Sequence, residues 1–534
     1  MDKLVLLGDE AIARGAMDSG MSGIYAYPGT PSTEITEYVQ HSKEAKKGKI
    51  HYTWSANEKT AMESALGISY AGKRAMSCMK HVGLNVAADV FMNSAITGVN
   101  GGFIVVVADD PSMHSSQNEQ DSRYYGKFAL IPVLEPCNQQ EAYDMTFYAY
   151  DLSEKYKLPV LMRITTRLAH SRAAVLTKEQ KKQNELHLPD DSMQFVLLPS
   201  NARKRYKILL DTQPALEEES ENSSYNKYYD GDDNSLGIIV CGLPYNYLME
   251  NYQDGKIPFP VLKIGQYPVP KKMIQKIYDE CDEILMMEEG YPLVEEMLNG
   301  LLGCGKTIHG RLDGTLPRDG ELNPNLIAKA LKLQQNDYRA IPELVETRPP
   351  QLCEGCSHID SYNALNEAMK GFTPGRVLSD IGCYTLGALP PFKSINSCVD
   401  MGASITMAKG AADAGLIPSV AVIGDSTFSH SGITGLLDCV NDKSPVTVII
   451  VDNGTTAMTG GQPSPGHGRI EAICKGVGVE EEHIRVLNPL KRNHEENVKI
   501  IKEELAYNGV SVIIPRRICI VESRKLAKQR AKKK

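Results

Sequence analysis

Two short stretches put hard metal ligands at the ends of apolar runs. In SVAVIGDS the run closes on Gly424, Asp425 and Ser426, and in VTVIIVDN a second run closes on Asn453. Asn453 follows Asp425 by 28 residues, with a helical pattern between them. A carboxylate and an amide oxygen suit Mg²⁺, which takes few protein ligands and completes its octahedron with phosphate oxygens and water. Gly424 lets the backbone approach a diphosphate closely, and Ser426 adds a hydroxyl donor. Open α/β sheets bind ligands outside the carboxyl ends of their strands, which is where both stretches end. A lone GDS arises by chance in turns. A GDS and an Asn, each after a β-run with a helix between, point to a diphosphate held through a metal. Two ordinary strand-to-helix turns are the plain alternative.

The chain has 12 cysteines, and most stand alone in apolar stretches as small buried hydrophobes. LCEGCSH differs, because Cys353 and Cys356 form a C-x-x-C. In a reducing compartment such a pair is a pair of free thiols or metal ligands. A third candidate is Glu58 in YTWSANEKTAMESALGISYAGK, where a strand-like run gives way to a helix. Ala61, Met62, Ala65 and Leu66 would pack that helix on a sheet. Taken alone, Glu58 reads as a first-turn glutamate favoured by the helix dipole.

The elements that must position these groups fall into blocks. A chain of 534 residues exceeds one hydrophobic core. Residues 1–195 alternate strand-like runs (GIYAYPG, FIVVVADDP, PVLMRITT) with helical stretches, which predicts an α/β fold with a parallel sheet. Residues 196–235 read as a polar linker, since LEEESENSSYNKYYDGDDNS is charged and poor in aliphatics. Residues 236–340 repeat the strand–helix rhythm as a smaller α/β domain. Residues 345–522 form a third α/β block with both metal-ligand stretches, and 523–534 form a basic tail that reads as a solvated, frayed end. The net charge of −8 gives no general case for nucleic acid. No segment offers the roughly 20 apolar residues of a spanning helix. The N-terminus lacks the pattern of a signal peptide. A cytoplasmic protein without membrane contact is the expectation.

The GDS-to-DN pattern resembles the thiamin diphosphate motif. That resemblance implies Mg²⁺ on Asp425 and Asn453, with the carbonyl of Thr455 as third protein ligand. Thiamin chemistry also needs a carboxyl on the aminopyrimidine nitrogen. In this enzyme class it comes from a different domain, and Glu58 is the candidate. YPGTPSTE, NEKTAMESALG, KHVGLNVAADVF, ADDPSMHSSQNEQDSRYYG, RPPQLCEGCSH, SDIGCYTLG and VDNGTTAMTGGQPSPG together resemble the large subunit of indolepyruvate ferredoxin oxidoreductases. More loosely they resemble the 2-oxoacid ferredoxin oxidoreductases. The resemblance covers almost the whole chain, in the family's order.

This resemblance implies a pyrimidine-type and a diphosphate-type α/β domain flanking a transketolase C-terminal-like domain. It implies oxidative decarboxylation of an arylpyruvate to an aryl-acetyl-CoA with reduction of ferredoxin. Glu58 matches the activating glutamate and Thr30 the threonine near substrate. Cys353, Cys356, Cys383 and Cys519 match the ligands of a proximal [4Fe-4S] cluster, and Cys474 and Cys439 are next in line should Cys519 fail. Zinc would accept the same four thiolates, and unligated core cysteines remain a further reading. A small catalytic (beta) subunit, coenzyme A and ferredoxin are the implied partners of a hetero-oligomer. The family's usual ferredoxin-like domain, with its C-x2-C-x2-C-x3-C-P runs, is not in this sequence. Two rivals stand beside this reading: a non-oxidative thiamin decarboxylase with structural cysteines, and an inactive scaffold subunit. Glu58 argues against the scaffold, which needs no such carboxyl. The polar loop SSQNEQDSRYYG is expected to line either the substrate site or a subunit interface.

Overall fold

The apolar runs become the centres of parallel sheets. Phe103–Asp109 is buried along its whole length, between parallel neighbours Ala75–Lys80 and Val160–Thr165. A strand covered on both faces reads as a continuous hydrophobic run rather than an alternating one. The computed structural model describes residues 2–252, 255–337, 342–346, 350–372 and 375–533. They form two compact units, residues 1–340 and 341–534.

The first unit holds a seven-stranded sheet in the order Gln266–Tyr267, Val133–Leu134, Val160–Thr165, Phe103–Asp109, Ala75–Lys80, Gly23–Ala26, His51–Trp54. All neighbours are parallel except the first pair. A five-stranded sheet follows, built around Leu236–Cys241 between Val261–Ile264 and Glu283–Met287. The blocks 1–195 and 236–340 are thus not separate compact units. The second donates an edge strand to the sheet of the first, and one core takes in Leu134 and Tyr143 with Ile238 and Leu285.

The expected linker is also largely regular. Pro199–Glu221 is a helix whose Leu209, Leu216 and Ser220 are buried, and Lys227–Tyr229 pairs with Val261–Lys263. Its apolar stripe is too narrow to show above the surrounding acids. Those acids have partners: Glu219 accepts from Tyr148 at 2.9 Å and Tyr156 at 2.8 Å.

The second unit is built on a five-stranded, all-parallel sheet in the order Arg376–Ser379, Ser419–Gly424, Val446–Val451, Ser511–Pro515, Ile484–Leu487. Gly424 is in register with Val451, so the loops after these two strands leave the sheet at one edge and one level. Arg348 and Pro349 of the RPPQLCEGCSH stretch lie outside the described residues. The basic tail is not frayed where it is described, because Ile520–Lys533 is a helix and Lys525 Nζ donates to the Gly460 carbonyl at 3.1 Å.

Candidate functional site

In the second unit Asp425 opens the short helical turn after Ser419–Gly424 and is 2% exposed. Its Oδ2 is buried and has no hydrogen-bond partner among the described residues. Burial, followed by the charge of Asp452, pushes the Asp425 carboxyl up to about 6. The ligand atoms of Asp425, Asp452 and His467 lie within 4.8 Å of one another. Asp452 is committed elsewhere: Arg516 Nε donates to its Oδ2 at 2.6 Å, and His467 Nδ1 lies 3.0 Å from its Oδ1. Asp425 is the carboxylate left for a ligand.

The two loops meet where Thr456 Oγ1 donates to Ser426 Oγ at 2.9 Å. Asn453 Oδ1 accepts from Thr455 N at 3.0 Å, which leaves that oxygen a second lone pair. Its amide nitrogen lies 3.5 Å from Nε2 of His358, a fully enclosed ring that desolvation pushes down to about 4 and so keeps neutral. Gly454 turns the loop at φ +78°, where a residue with a Cβ would be strained. A buried, unpartnered carboxylate oxygen next to a second carboxylate is what a divalent cation relieves. The residues present fit a magnesium-held diphosphate.

The four sequence-identified cysteines share one neighbourhood. Cys356 N donates to the Cys353 carbonyl at 3.0 Å in a turn with Gly355 at φ +79°, and helix Ser357–Ala368 starts there. Cys383 opens the turn after Asp380, a buried carboxylate that accepts from Ser404 Oγ at 2.6 Å and from Tyr384. Cys519 N donates to the Asn453 carbonyl at 3.0 Å, which ties the last cysteine to the Asn453 loop. Burial pushes the Cys383 thiol up to about 12, and Cys356, Cys519 and Cys353 add to the push. Burial raises Cys356 too, with Cys353 and Cys519 adding to it. Yet among the described residues no three of these sulfurs fall within 4.8 Å of one another. Four thiols gathered in one neighbourhood are a donor set for zinc or for an iron–sulfur cluster. Cys439 and Cys474 are fully buried in the hydrophobic core, packed as apolar side chains.

In the first unit Glu58 is the first residue of helix Glu58–Tyr70 and is 5% exposed. Asn57 caps the helix by accepting from Thr60 N at 2.8 Å, an interaction of about 1 kcal/mol. Ala61, Met62, Ala65 and Leu66 are buried. Gly83 makes room for Glu58, since a Cβ there would sit 2.6 Å from Glu58 Cγ.

Thr30 lies in the loop after Gly23–Ala26, and Ser115 Oγ donates to its carbonyl at 3.3 Å. Lys80, at the end of Ala75–Lys80, donates to Ser115 O at 2.7 Å and Ser115 Oγ at 3.0 Å. Burial pushes the Lys80 ammonium down to about 8, against the pull of Asp110. Sequence reasoning missed Lys80, although it sits in the quoted KHVGLN stretch. The SSQNEQDSRYYG loop divides in two. Ser115 faces Thr30 and Lys80, whereas Arg123 joins Asp121 and, at 3.0 Å, Glu288 in a buried ion-pair network within this unit. Asp121 and Arg123 are therefore structural.

Residues 14–216 match the family described as pyruvate flavodoxin/ferredoxin oxidoreductase, thiamine diP-binding. Residues 380–514 match the thiamine pyrophosphate enzyme, C-terminal TPP binding domain. The indolepyruvate oxidoreductase subunit IorA of Archaeoglobus fulgidus is 40% identical over 552 residues, covering 97% of this chain and 87% of that protein. The subunit of the same name from Thermococcus kodakarensis is 39% identical over 573 residues, covering 97% and 86%. Among solved structures, a 2-oxoglutarate:ferredoxin oxidoreductase from Magnetococcus marinus superposes with a TM-score of 0.50 at 16% identity, covering 62% of this chain and 65% of that one. At that identity the superposition speaks for the fold alone.

Proposed function

This chain belongs to the indolepyruvate oxidoreductase IorA family, and from that premise we propose that it oxidatively decarboxylates arylpyruvates to aryl-acetyl-CoA with reduction of ferredoxin. It is an oxidoreductase with thiamin diphosphate-binding domains. One observation carries the cofactor assignment: the buried Asp425 Oδ2, unpartnered among the described residues, stands at the strand end beside the Asn453 loop.

When bound, thiamin diphosphate supplies the electron sink that makes loss of CO₂ from a 2-oxoacid possible. In our reading Asp425 and Asn453, with the Thr455 carbonyl, hold Mg²⁺ at the diphosphate, and Gly424 and Ser426 border it. Glu58 serves the aminopyrimidine end by sharing a proton with its ring nitrogen. Its burial excludes water from that proton. Thr30 belongs to the substrate side, where Lys80 and Ser115 brace the loop that carries it. Cys353, Cys356, Cys383 and Cys519 would hold a [4Fe-4S] cluster, which supplies one-electron redox chemistry. Residues 1–195 are the pyrimidine-type domain, 236–340 the transketolase C-terminal-like domain and 345–522 the diphosphate-type domain. A small catalytic subunit, coenzyme A and ferredoxin complete the system, which we place in the cytoplasm. No described helix is long and apolar enough to cross a membrane.

The test is an anaerobic assay of the protein with its small subunit, coenzyme A, a viologen dye and a panel of indole-, phenyl-, 4-hydroxyphenyl- and aliphatic 2-oxoacids. Dye reduction that needs coenzyme A and favours aryl substrates supports the proposal. Release of CO₂ and aldehyde without dye reduction identifies a non-oxidative decarboxylase instead.

A further inference from the structure

Elsewhere in the first unit, Asp9, Glu34 and His170 bring two carboxylates and an imidazole together, with one ligand atom from each lying within 4.8 Å of the others. His170 Nε2 is 3.5 Å from Glu34 Oε2. Asp9 is 0% exposed, and neither of its carboxylate oxygens has a hydrogen-bond partner among the described residues. Glu34 Oε2 is buried as well, with the His170 imidazole facing it across the ion-pair distance. A carboxylate buried in this way is costly unless a cation or a proton joins it.

Three separate elements converge on the spot. Asp9 comes from the first turn of helix Gly8–Asp18, Glu34 from the first turn of Thr33–His41, and His170 from the end of Thr166–His170. Gly8 allows the approach, because a Cβ there would collide with the Leu168 carbonyl. Asp9 is not spent on capping its own helix. That task falls to Glu10, whose Oε2 accepts from Leu7 N at 2.8 Å. The His170 side chain is 36% exposed, so the cluster is open to entry from solvent on that side.

We propose that Asp9, Glu34 and His170 form a site for a divalent metal ion of the zinc or manganese class. Two carboxylate oxygens and one imidazole nitrogen are the donor set such ions prefer, and water would complete the shell. The ion would fasten helix Thr33–His41, and with it the loop that carries Thr30, to the two neighbouring helices. The competing account needs no metal: Asp9 keeps a proton that it shares with Glu34, and Glu34 is paired with a charged His170.

Zinc separates the two. Anaerobic holoprotein, already loaded with Mg²⁺ and thiamin diphosphate, is equilibrated with Zn²⁺, desalted and assayed for zinc by elemental analysis. Wild type is expected to retain about one more zinc per chain than Asp9→Asn or His170→Ala, and zinc should raise its melting temperature but not theirs. Adventitious zinc at the cysteines is common to all three proteins and cancels in the difference. His170→Ala alters a part-exposed side chain, so it serves if Asp9→Asn fails to fold. Equal zinc content in wild type and folded variants, with no zinc-dependent rise in melting temperature, would overturn the site in favour of the shared proton.

Discussion

Asp425 and Asp452 leave neighbouring parallel strands at the same level, because Gly424 is in register with Val451. The strand alignment sets one carboxylate against the other at the sheet edge. Asp452 is paired with Arg516 and has His467 at hydrogen-bond distance, whereas Asp425 Oδ2 has no hydrogen-bond partner among the described residues.

The first prediction concerns pH. Without metal, the Asp425 carboxyl is raised from 3.8 to about 6, so the folded state holds its proton more tightly than the unfolded chain does. Its contribution to stability is therefore unfavourable at neutral pH, and the penalty disappears as pH falls from about 6 toward 4. Asp425→Asn should flatten that part of the stability–pH curve, measured by denaturant unfolding of cofactor-free protein. Protons also compete with Mg²⁺ for the group, so thiamin diphosphate affinity should weaken below about pH 6. Asp425→Ala should abolish Mg²⁺-dependent binding in calorimetry. Unchanged affinity would remove Asp425 from the metal site.

Glu58→Gln is expected to keep thiamin diphosphate bound and to lower turnover by several orders of magnitude, because an amide cannot share the required proton. Gly83→Ala should reproduce part of that loss without touching the carboxyl, since its Cβ would press on Glu58 Cγ from 2.6 Å. Paired calorimetry and kinetics check both. A Glu58→Gln protein of near wild-type activity would end the assignment.

Replacing Cys353, Cys356 or Cys383 with Ser should lose iron and the absorbance near 400 nm, because a hydroxyl is a poor substitute for thiolate. Cys519→Ser should behave alike. Cys439→Ser and Cys474→Ser should retain iron, since both side chains pack in the hydrophobic core. Iron analysis of anaerobically purified protein decides. Full iron in Cys519→Ser would move the fourth ligand elsewhere.

The helix Ile520–Lys533 begins directly after Cys519 and carries most of the basic tail. Bacterial ferredoxins are generally acidic, and such a helix would raise their association rate more than their affinity. Truncation after Ser523 should slow ferredoxin reduction at low salt and spare reduction of a viologen dye. Because truncation also removes the contact from Lys525 to Gly460, the double variant Lys528→Gln/Arg530→Gln is the cleaner probe. Its effect should fade at high ionic strength. Equal low-salt rates in all three proteins would exclude the tail from docking.

Much of this site could be read in the sequence because strand ends and helix starts are local signals. The apolar runs before Asp425 and Asn453 fixed their edge of the sheet, and Glu58 stands at the helix start its stretch predicts. Asp452 stayed hidden because strand register, which local pattern does not reveal, brings it to Asp425. His358 approaches Asn453 across 95 residues of sequence, and Arg516 reaches Asp452 across 64. Lys80 carries no local signal, because its partner Ser115 lies 35 residues on, and Ser115 in turn reaches back to Thr30 across 85. The helix Pro199–Glu221 was misread because its burial rests on few residues and its acids find their partners on a distant helix.

A single peptide hydrogen bond, from Cys519 N to the Asn453 carbonyl at 3.0 Å, ties the last cysteine to the loop proposed to hold the metal. In air, damage that starts at the exposed Cys353 would travel along this tie. With Cys519 as the cluster ligand we propose, its loss of iron would slacken the peptide that steadies Asn453 and loosen the hold on the organic cofactor. Preparations aged in oxygen should thus lose vitamin content in step with their colour, and rebuilding with iron, sulfide and a thiol reductant, with thiamin diphosphate and Mg²⁺ resupplied, should recover both.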